Sequence, residues 1–397
     1  MRLEATANAT AKVGLRRVER RRALGDDVDL GLFPVQTCWP EEPAPLITWP
    51  VVVTRPPDDE DAGACNLGVY RMQVLGRDRA IVRWLPRRGG AMHHEMWRRL
   101  GQPMPVAVAI GADPALLIAA ATPIPERVSE YVYAGALRGA RTALVPARTV
   151  PLLVPAEAEI VLEGFVDPEE TALEGPYGDH TGYYNAADRF PVMRVTAITQ
   201  RDAPVYLSTF TGRAPDEPSV IAGALVDVFV PLVRQTFPEV VDCWMPPEAC
   251  SYRIAAISLR KSYPGQARRV MMGFWSLLPQ FAMTKMLIVV DDDIDVRNWS
   301  DVLWAVATRM DPGRDLAVLA DTPMDPLDFA SPQPGLAGKL GIDATVKIGP
   351  ETSRAWGRPL AMPDEIVRRI ERQFGHLFAP PGRDPTPLRR QGAYGAE

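Results

Sequence analysis

From residue 45 to 212 brief apolar runs alternate with Gly, Pro and Asp punctuation. "PLITWPVVVT", "NLGVYRMQVL", "RAIVRWLP", "VAVAIG", "VPLLVP", "EIVLEGFV", "VMRVTAIT" and "APVYLSTFTG" are short and rich in β-branched or aromatic residues. Such spacing predicts the strands of a barrel or sandwich. "DPALLIAAA" and "EYVYAGALRGA" predict helices between them. Residues 1–30 predict a short basic helix closing on "GDDVDL", and "RPPDDEDAGA" predicts an acidic surface loop.

After "GRAPDEPS" the period changes. "SVIAGALVDVFVPLVRQTF" has helical apolar spacing, with Pro231 as the expected kink. Strand "YRIAAISLRK", helix "ARRVMMGFWSLLPQFAMTK", strand "MLIVVDDDID" and helix "WSDVLWAVATRM" follow, an alternation that predicts an α/β layer. The expected domain boundary lies near residue 215. A final helix, "PDEIVRRIERQFGHLF", sets Ile366, Val367, Ile370, Phe374 and Leu377 on one stripe. That stripe suits a partner subunit or the chain's own core better than a membrane.

Composition narrows the class. At 397 residues the chain is long enough for two or three domains of roughly 150 residues each. A hydrophobic share of 47% supplies ample core, so disorder is not expected. The net charge of -5 argues against nucleic acid as a partner; "RRVERRR" (Arg16 to Arg22) is a local cluster. Four scattered cysteines (Cys38, Cys65, Cys243, Cys250) make neither a disulfide framework nor a zinc knuckle and suit a reduced cytoplasm. No signal peptide and no run of about 18 apolar residues is read in the chain. Forty prolines, against a usual share of about 5%, predict many turns and strand ends.

One stretch concentrates chemistry. "LEGPYGDHTGYYN" (Leu173 to Asn185) flanks a Gly-Pro-Tyr-Gly turn with Glu174 and Asp179. A regular strand would splay two side chains five apart, whereas a turn folds both toward one point. Close carboxylates split their proton affinities, which is equipment for a general acid. A turn whose acids merely cap backbone donors fits the same letters. Asn66 and Arg71 in "NLGVYRMQV" offer a neutral oxygen ligand and a cation able to hold a carboxylate bidentately. Glu126 and Glu130 follow a proline-rich turn, and an Asn with a Glu suits magnesium or manganese sharing a phosphate. "VVDDDIDV" (Asp291 to Asp293, then Asp295) and His93-His94 are further metal candidates, though a strand end and a non-convergent pair explain them equally well. His376 reads as structural.

Together "TCWPEEPAPLITW", "NLGVYR", "RWLPRRGGA", "TPIPERVSEY", "LEGPYGDHTGYYN", "TGRAPDEPSV", "RVMMGFWS", "TRMDPGRD" and "DFASPQPGLAGKLGIDAT" resemble, in order, the UbiD family of reversible decarboxylases that use prenylated FMN. The resemblance covers roughly residues 25–380 and is nearest to the branch acting on 4-hydroxy-3-polyprenylbenzoate in ubiquinone synthesis. It implies an α+β fold: a split β-barrel flavin-binding domain (46–215), an α/β oligomerisation domain (216–345) and a C-terminal tail with an amphipathic helix (346–397). Residues 1–45 would be a lead-in, with the family's N-terminal α/β domain largely absent.

By position the resemblance makes Arg71, Glu174 and Asp179 the catalytic set, with Asp179 as proton donor. Val69, Tyr70, Arg71, Arg83, Trp84, Leu85, Arg88, Gly89 and Lys339 match flavin contacts. Asn66 and Glu130 match ligands of a divalent metal, manganese foremost, with K+ as a further ion. Arg87 stands where relatives place a histidine ligand, and a guanidinium cannot ligate a cation. An aryl carbanion needs an electron sink that no side chain supplies, which is the cofactor's task. The implied partners are an aromatic acid, a flavin prenyltransferase that makes the cofactor, and further copies of the chain in a homo-oligomer, a hexamer being one form. The implied location is the cytoplasm, with the inner membrane face as an option for a tailed substrate. Two other readings stay open: decarboxylation of a different aromatic or heteroaromatic acid, and a truncated non-catalytic subunit.

Overall fold

The computed structural model describes residues 21–59, 64–86, 88–124, 128–358, 360 and 362–378. The chain divides into two units, the break falling between Ile221 and Ala222.

In the first unit the strands are β1 (Arg21–Leu24), β2 (Leu46–Ile47), β3 (Val51–Thr54), β4 (Asn66–Val69), β5 (Met72–Val74) and β6 (Arg79–Val82). Then come helix α1 (Gly89–Arg99), β7 (Met104–Ile110), α2 (Pro114–Ala121) and α3 (Glu130–Arg138). A small hairpin of β8 (Leu144–Pro146) and β9 (Leu153–Pro155) leads into the long strands β10 (Ile160–Glu174) and β11 (Asp188–Gln200). The main sheet is antiparallel and curled into a half-barrel, in the order β2-β5-β6-β11-β10-β7-β3-β4, with β1 also on β11.

Alternation explains its two buried faces. Val52, Val106, Val108 and Ile110 point into one core with Met72, Val82, Ile160 and Leu162. Their neighbours Val51, Val53, Ala107 and Ala109 point the other way, onto Leu116 and Ala119 of α2 and Tyr131 and Ala134 of α3. Covered on both sides, β7 is buried at every position and reads as one apolar run. Asp113 caps α2 by accepting the Ala115 N–H, with Pro114 in the first turn.

The second unit begins along α4 (Glu217–Thr236) and continues with β12 (Val240–Trp244), β13 (Ile254–Leu259), α5 (Gln266–Leu277), β14 (Met286–Asp291) and α6 (Trp299–Arg309). It ends with β15 (Leu316–Pro323), β16 (Leu336–Ala344) and α7 (Asp364–Phe378). The sheet runs β12-β13-β14-β16-β15, parallel at its centre (β13-β14-β16) and antiparallel at both edges. Ala255, Ile257 and Leu259 face α4 and α5; Ala256 faces the core under α6.

Several expectations are corrected. Arg21–Leu24 forms a strand paired with Ala197 to Gln200, not the end of a helix; the ladder to β11 satisfies its backbone. Residues 1–20 lie outside the described residues. "APVYLSTFTG" is not a strand, because side chains serve its backbone instead: Thr209 N–H donates to Thr48 Oγ1 at 2.9 Å, and Trp39 Nε1 donates to the Thr211 carbonyl at 2.8 Å. "PLITWPVVVT" is two strands split at Pro50. Helix α4 is long and apolar enough to cross a membrane, with a mean hydropathy of 1.4, against the expectation of no such run. It nonetheless sends Val226, Val230 and Val233 into the second core and pairs Asp227 with Arg297 at 2.6 Å. On α7 the stripe is half-buried at Ile366, Val367 and Ile370 and exposed at Phe374 and Leu377.

Candidate active site

The bend between β4 and β5 presents Arg71, and the end of β10 presents Glu174. From there the turn "GPYGDHTGYYN" doubles back to β11. Gly175 N–H donates to Gln73 Oε1 at 2.9 Å, tying the turn to β5. Tyr177 is fully buried, and its hydroxyl donates to the Ala44 carbonyl at 2.8 Å. At Gly178 a Cβ would lie 2.2 Å from the Trp39 ring, so only glycine permits this packing. Asp179 N–H to the Tyr183 carbonyl (3.1 Å) and Gly182 N–H to the Asp179 carbonyl (2.8 Å) close the tip.

The turn delivers both acids to one guanidinium. Arg71 grips Glu174 with Nε (2.7 Å) and Nη2 (3.2 Å), and reaches Asp179 Oδ2 with Nη1 at 3.1 Å. Nη2 also donates to Asn185 Oδ1 at 2.8 Å, and the same oxygen accepts the Tyr177 N–H at 3.0 Å. Arg83 stands 3.7 Å from Glu174 Oε2. The remaining Asp179 oxygen, Oδ1, accepts from the backbone N–H of His180 and contacts its Nδ1, each at 2.8 Å.

These surroundings separate the two acids. Burial pushes the Glu174 carboxyl above the ordinary carboxylate range; Arg71 opposes the rise and the Asp179 charge adds to it. Burial would raise Asp179 too, but the His180 hydrogen bond and the Arg71 charge outweigh it and hold Asp179 below its usual value. In this resting arrangement Glu174 is the acid that favours the proton, whereas the sequence reading assigned the donor role to Asp179.

The expected flavin contacts border this cluster along the chain. Val69 ends β4 and Tyr70 follows it; Arg83, Trp84 and Leu85 follow β6; Arg88 directly precedes α1, which starts at Gly89. The Tyr70 hydroxyl accepts the Gly90 N–H at 3.2 Å. A Cβ on Gly89 would fall 1.9 Å from Asn66 Oδ1, so glycine lets the start of α1 approach β4. Arg83 Nε and Trp84 Nε1 are buried donors with no hydrogen-bond partner among the described residues. Unsatisfied buried donors of that kind suit a polar ligand.

Glu130 opens α3, and Asn66 opens β4. Burial pushes Glu130 up to about 7. Arg87 and Glu126 lie outside the described residues. No cluster of three His, Cys, Asp or Glu suited to a metal occurs among the described residues.

Other candidates have different employment. Lys339 lies in the second unit, on β16, where its ammonium donates to the carbonyls of Ala282 and Thr284. Arg309 neutralises Asp291 (2.7 Å) and Asp293 (2.6 Å), making the acidic run a buried ion-pair network. His93 Nδ1 contacts Thr54 Oγ1 at 3.0 Å, while His94 packs on Trp84 at 5.4 Å, so the pair does not converge on one ion. Asn185 was missed as a site residue; its place at the end of the same motif stretch was the available signal.

Known proteins share this fold. Residues 12–214 match the UbiD model, the 3-octaprenyl-4-hydroxybenzoate carboxy-lyase Rift-related domain, and residues 219–344 match the C-terminal domain of the same family. Vanillic acid decarboxylase of Sedimentibacter hydroxybenzoicus, in closed form, is 28% identical with a TM-score of 0.83, over 94% of this chain and 80% of that one. The UbiD-class enzyme HmfF from Pelotomaculum thermopropionicum, in complex with FMN, is 31% identical with a TM-score of 0.76, over 90% and 80%. An evolved dimeric form of HmfF in complex with prFMN is 30% identical with a TM-score of 0.74, over 92% and 80%. With two successive family domains matched and the fold shared along nearly its whole length, the chain belongs to the UbiD family of carboxy-lyases.

Proposed function

We propose that this protein removes CO2 from an aromatic or heteroaromatic acid without a polyprenyl tail, using prenylated FMN. The observation that carries the proposal is the single Arg71 guanidinium holding Glu174 and Asp179 together with opposed proton affinities. A purely structural turn needs no such arrangement, which also speaks against a non-catalytic subunit. Likeness to the vanillic acid enzyme, whose named substrate is a tail-less benzoate, supports the compact acid over the polyprenylated one.

The residues fit the cofactor. Arg83 and Trp84 carry buried donors that a polar ligand would satisfy, and at Gly89 a Cβ would collide with Asn66. Bound prenylated FMN supplies the electron sink that decarboxylation at a ring carbon requires. Asn66 and Glu130 would hold a divalent cation, since an amide oxygen and a carboxylate are hard ligands that a phosphate can complete. Arg71 fixes the direction of both carboxyls and lowers the cost of their burial. Glu174 keeps Arg71 in place, and Asp179, the acid at the tip of the turn, delivers the proton to the carbon that loses CO2. A flavin prenyltransferase supplies the cofactor, and the chain works as a homo-oligomer.

The test is co-expression with a flavin prenyltransferase, followed by CO2 release from vanillate-like, heteroaromatic and polyprenylated acids side by side. Release from the tail-less acids is expected. Turnover confined to polyprenylated hydroxybenzoate would restore the ubiquinone assignment, and flavin-loaded protein inert toward every acid would remove the enzymatic reading.

A further inference from the structure

We propose that Trp39 is a positioning residue for Asp179: seated on Gly178 and Gly212, its indole sets how far the catalytic turn reaches toward Arg71. The inference rests on the decarboxylase reading above. Trp39 belongs to "TCWPEEPAPLITW", a stretch that contributes none of the catalytic, flavin or metal residues.

The residue before Asp179 is held by two distant segments. Gly178 N–H donates to Glu42 Oε1 at 3.3 Å, and its carbonyl accepts the Thr211 hydroxyl at 2.8 Å. On either side of it, the Tyr177 hydroxyl reaches the Ala44 carbonyl and the Tyr184 hydroxyl accepts the Glu41 N–H at 3.3 Å. Residues 39–44 thus strap the turn. Gly178 does not have a positive φ, so an alanine suits its backbone. What a Cβ there would meet is the indole: its three nearest atoms are Trp39 Cδ1, Nε1 and Cγ.

The indole has little room to yield. Its six-membered ring lies against Gly212, where a Cβ would stand 3.0 Å from Cζ2. Nε1 is tied to the Thr211 carbonyl at 2.8 Å, and Phe210 packs edge-on at 6.5 Å. A push between ring and turn therefore falls on the turn. There Asp179 is the vulnerable acid. It meets Arg71 through one bond of 3.1 Å, near the long end of the usual range, whereas Glu174 takes two. The contacts of Asp179 with His180 travel with the turn, so Arg71 is the fixed point against which its position counts.

Alanine at Gly178 turns the contact into a measurement. A misplacement of about 1 Å costs about 10²-fold in rate, so in the flavin-loaded holoenzyme Gly178→Ala should lower kcat by that factor, with flavin content unchanged. KM should stay within about threefold, because the loss falls on an interaction used after binding. Trp39→Ala deletes every atom the new methyl would meet. In that background Gly178→Ala should cost less than about threefold, the non-additivity expected of residues in contact. Equal losses in both backgrounds, or full activity of Gly178→Ala, would overturn the proposal. A loss carried by KM or flavin content alone would make the contact merely structural and overturn it equally.

A readout without turnover accompanies this. In apoprotein with 13C-labelled aspartate carboxyls, Asp179→Asn identifies the Asp179 resonance. Its titration should move to higher pH in Gly178→Ala, because a longer reach to Arg71 weakens a charge that holds this acid down. Trp39→Phe, which has no N–H for the Thr211 carbonyl, should move it the same way and serves if Gly178→Ala does not fold. An unmoved titration in the folded variants overturns the positioning role even if turnover falls. If the titration moves but the loaded wild type decarboxylates no acid, the decarboxylase reading fails while the hold of Trp39 on the Asp179–Arg71 contact stands.

Discussion

Arg71→Ala removes the one cation that touches both site acids, and its cost can be worked from the geometry. The substitution deletes two hydrogen bonds to Glu174, one to Asp179 and one to Asn185. Breaking a buried ion pair by removing one partner costs about 3–5 kcal/mol, because the other charge is left uncompensated. Glu174 is 0% exposed, so this range applies when it stays ionised. It has an escape: its carboxyl is already raised by burial and loses the opposing effect of Arg71, so it takes up a proton. A carboxyl protonated when folded and ionised when unfolded lowers stability by about 1.4 kcal/mol per pH unit. The sign follows from proton counts, since the folded state binds more protons and stability falls as pH rises toward the raised folded value. The deficit of Arg71→Ala relative to wild type should therefore be about 3–5 kcal/mol at pH 8 and smaller at pH 6 by up to about 2.7 kcal/mol. Urea unfolding at the two pH values measures it. Adding Glu174→Gln should recover part of the loss at pH 8, because no orphan charge remains. An identical deficit at both pH values, with no recovery in the double variant, would refute this electrostatic account.

Asp179→Asn should keep flavin binding yet lose about 10²–10⁴ in turnover, since the amide is nearly isosteric but is no acid; wild-type rates of hydrogen–deuterium exchange at the product's ring carbon would place the donor elsewhere. Glu130→Ala should lose manganese, by elemental analysis of purified protein, and reduce flavin retention with it; full metal content would mean that the ion sits elsewhere. His93 is lowered from 6.5 to about 4 by burial. The unfolded chain thus binds a proton between those values that the folded chain refuses, and stability falls with pH by about 2 kcal/mol from 6.5 to 5. His93→Gln should flatten that slope in thermal melts, and a slope equal to wild type would show that His93 is not its source.

What the letters revealed depended on how far apart the interacting groups lie in the chain. Strands β7, β10 and β11 announced themselves, because alternate residues fill cores on opposite faces of one sheet. Helix α1 did not: it opens on two glycines, poor helix formers, and its support is the packing of Ala91 and Trp97 on the sheet's core. The strand-like "APVYLSTFTG" misled for the converse reason, since its backbone partners are side chains from Trp39 and Thr48 that no local pattern contains.

The site divides along the same line. Glu174 and Asp179 were legible as a pair because a short turn separates them, but the guanidinium that joins them comes from 103 residues upstream of Glu174. Only the family resemblance connected the two segments, and it implied Asp179 as the donor in turnover without saying which acid favours the proton at rest. That is decided by which oxygens meet Arg71 and which meet His180. Two carboxyls equally close to one cation would share it alike; here Glu174 takes the bidentate grip in full burial, and Asp179 takes a single bond plus the imidazole. For Glu174 desolvation outweighs its cation, and for Asp179 the donors outweigh desolvation. A proton taken from Asp179 during turnover is consequently one that the resting site must first have loaded against its own preference, so the rate of loading belongs to the catalytic cycle as much as bond cleavage does.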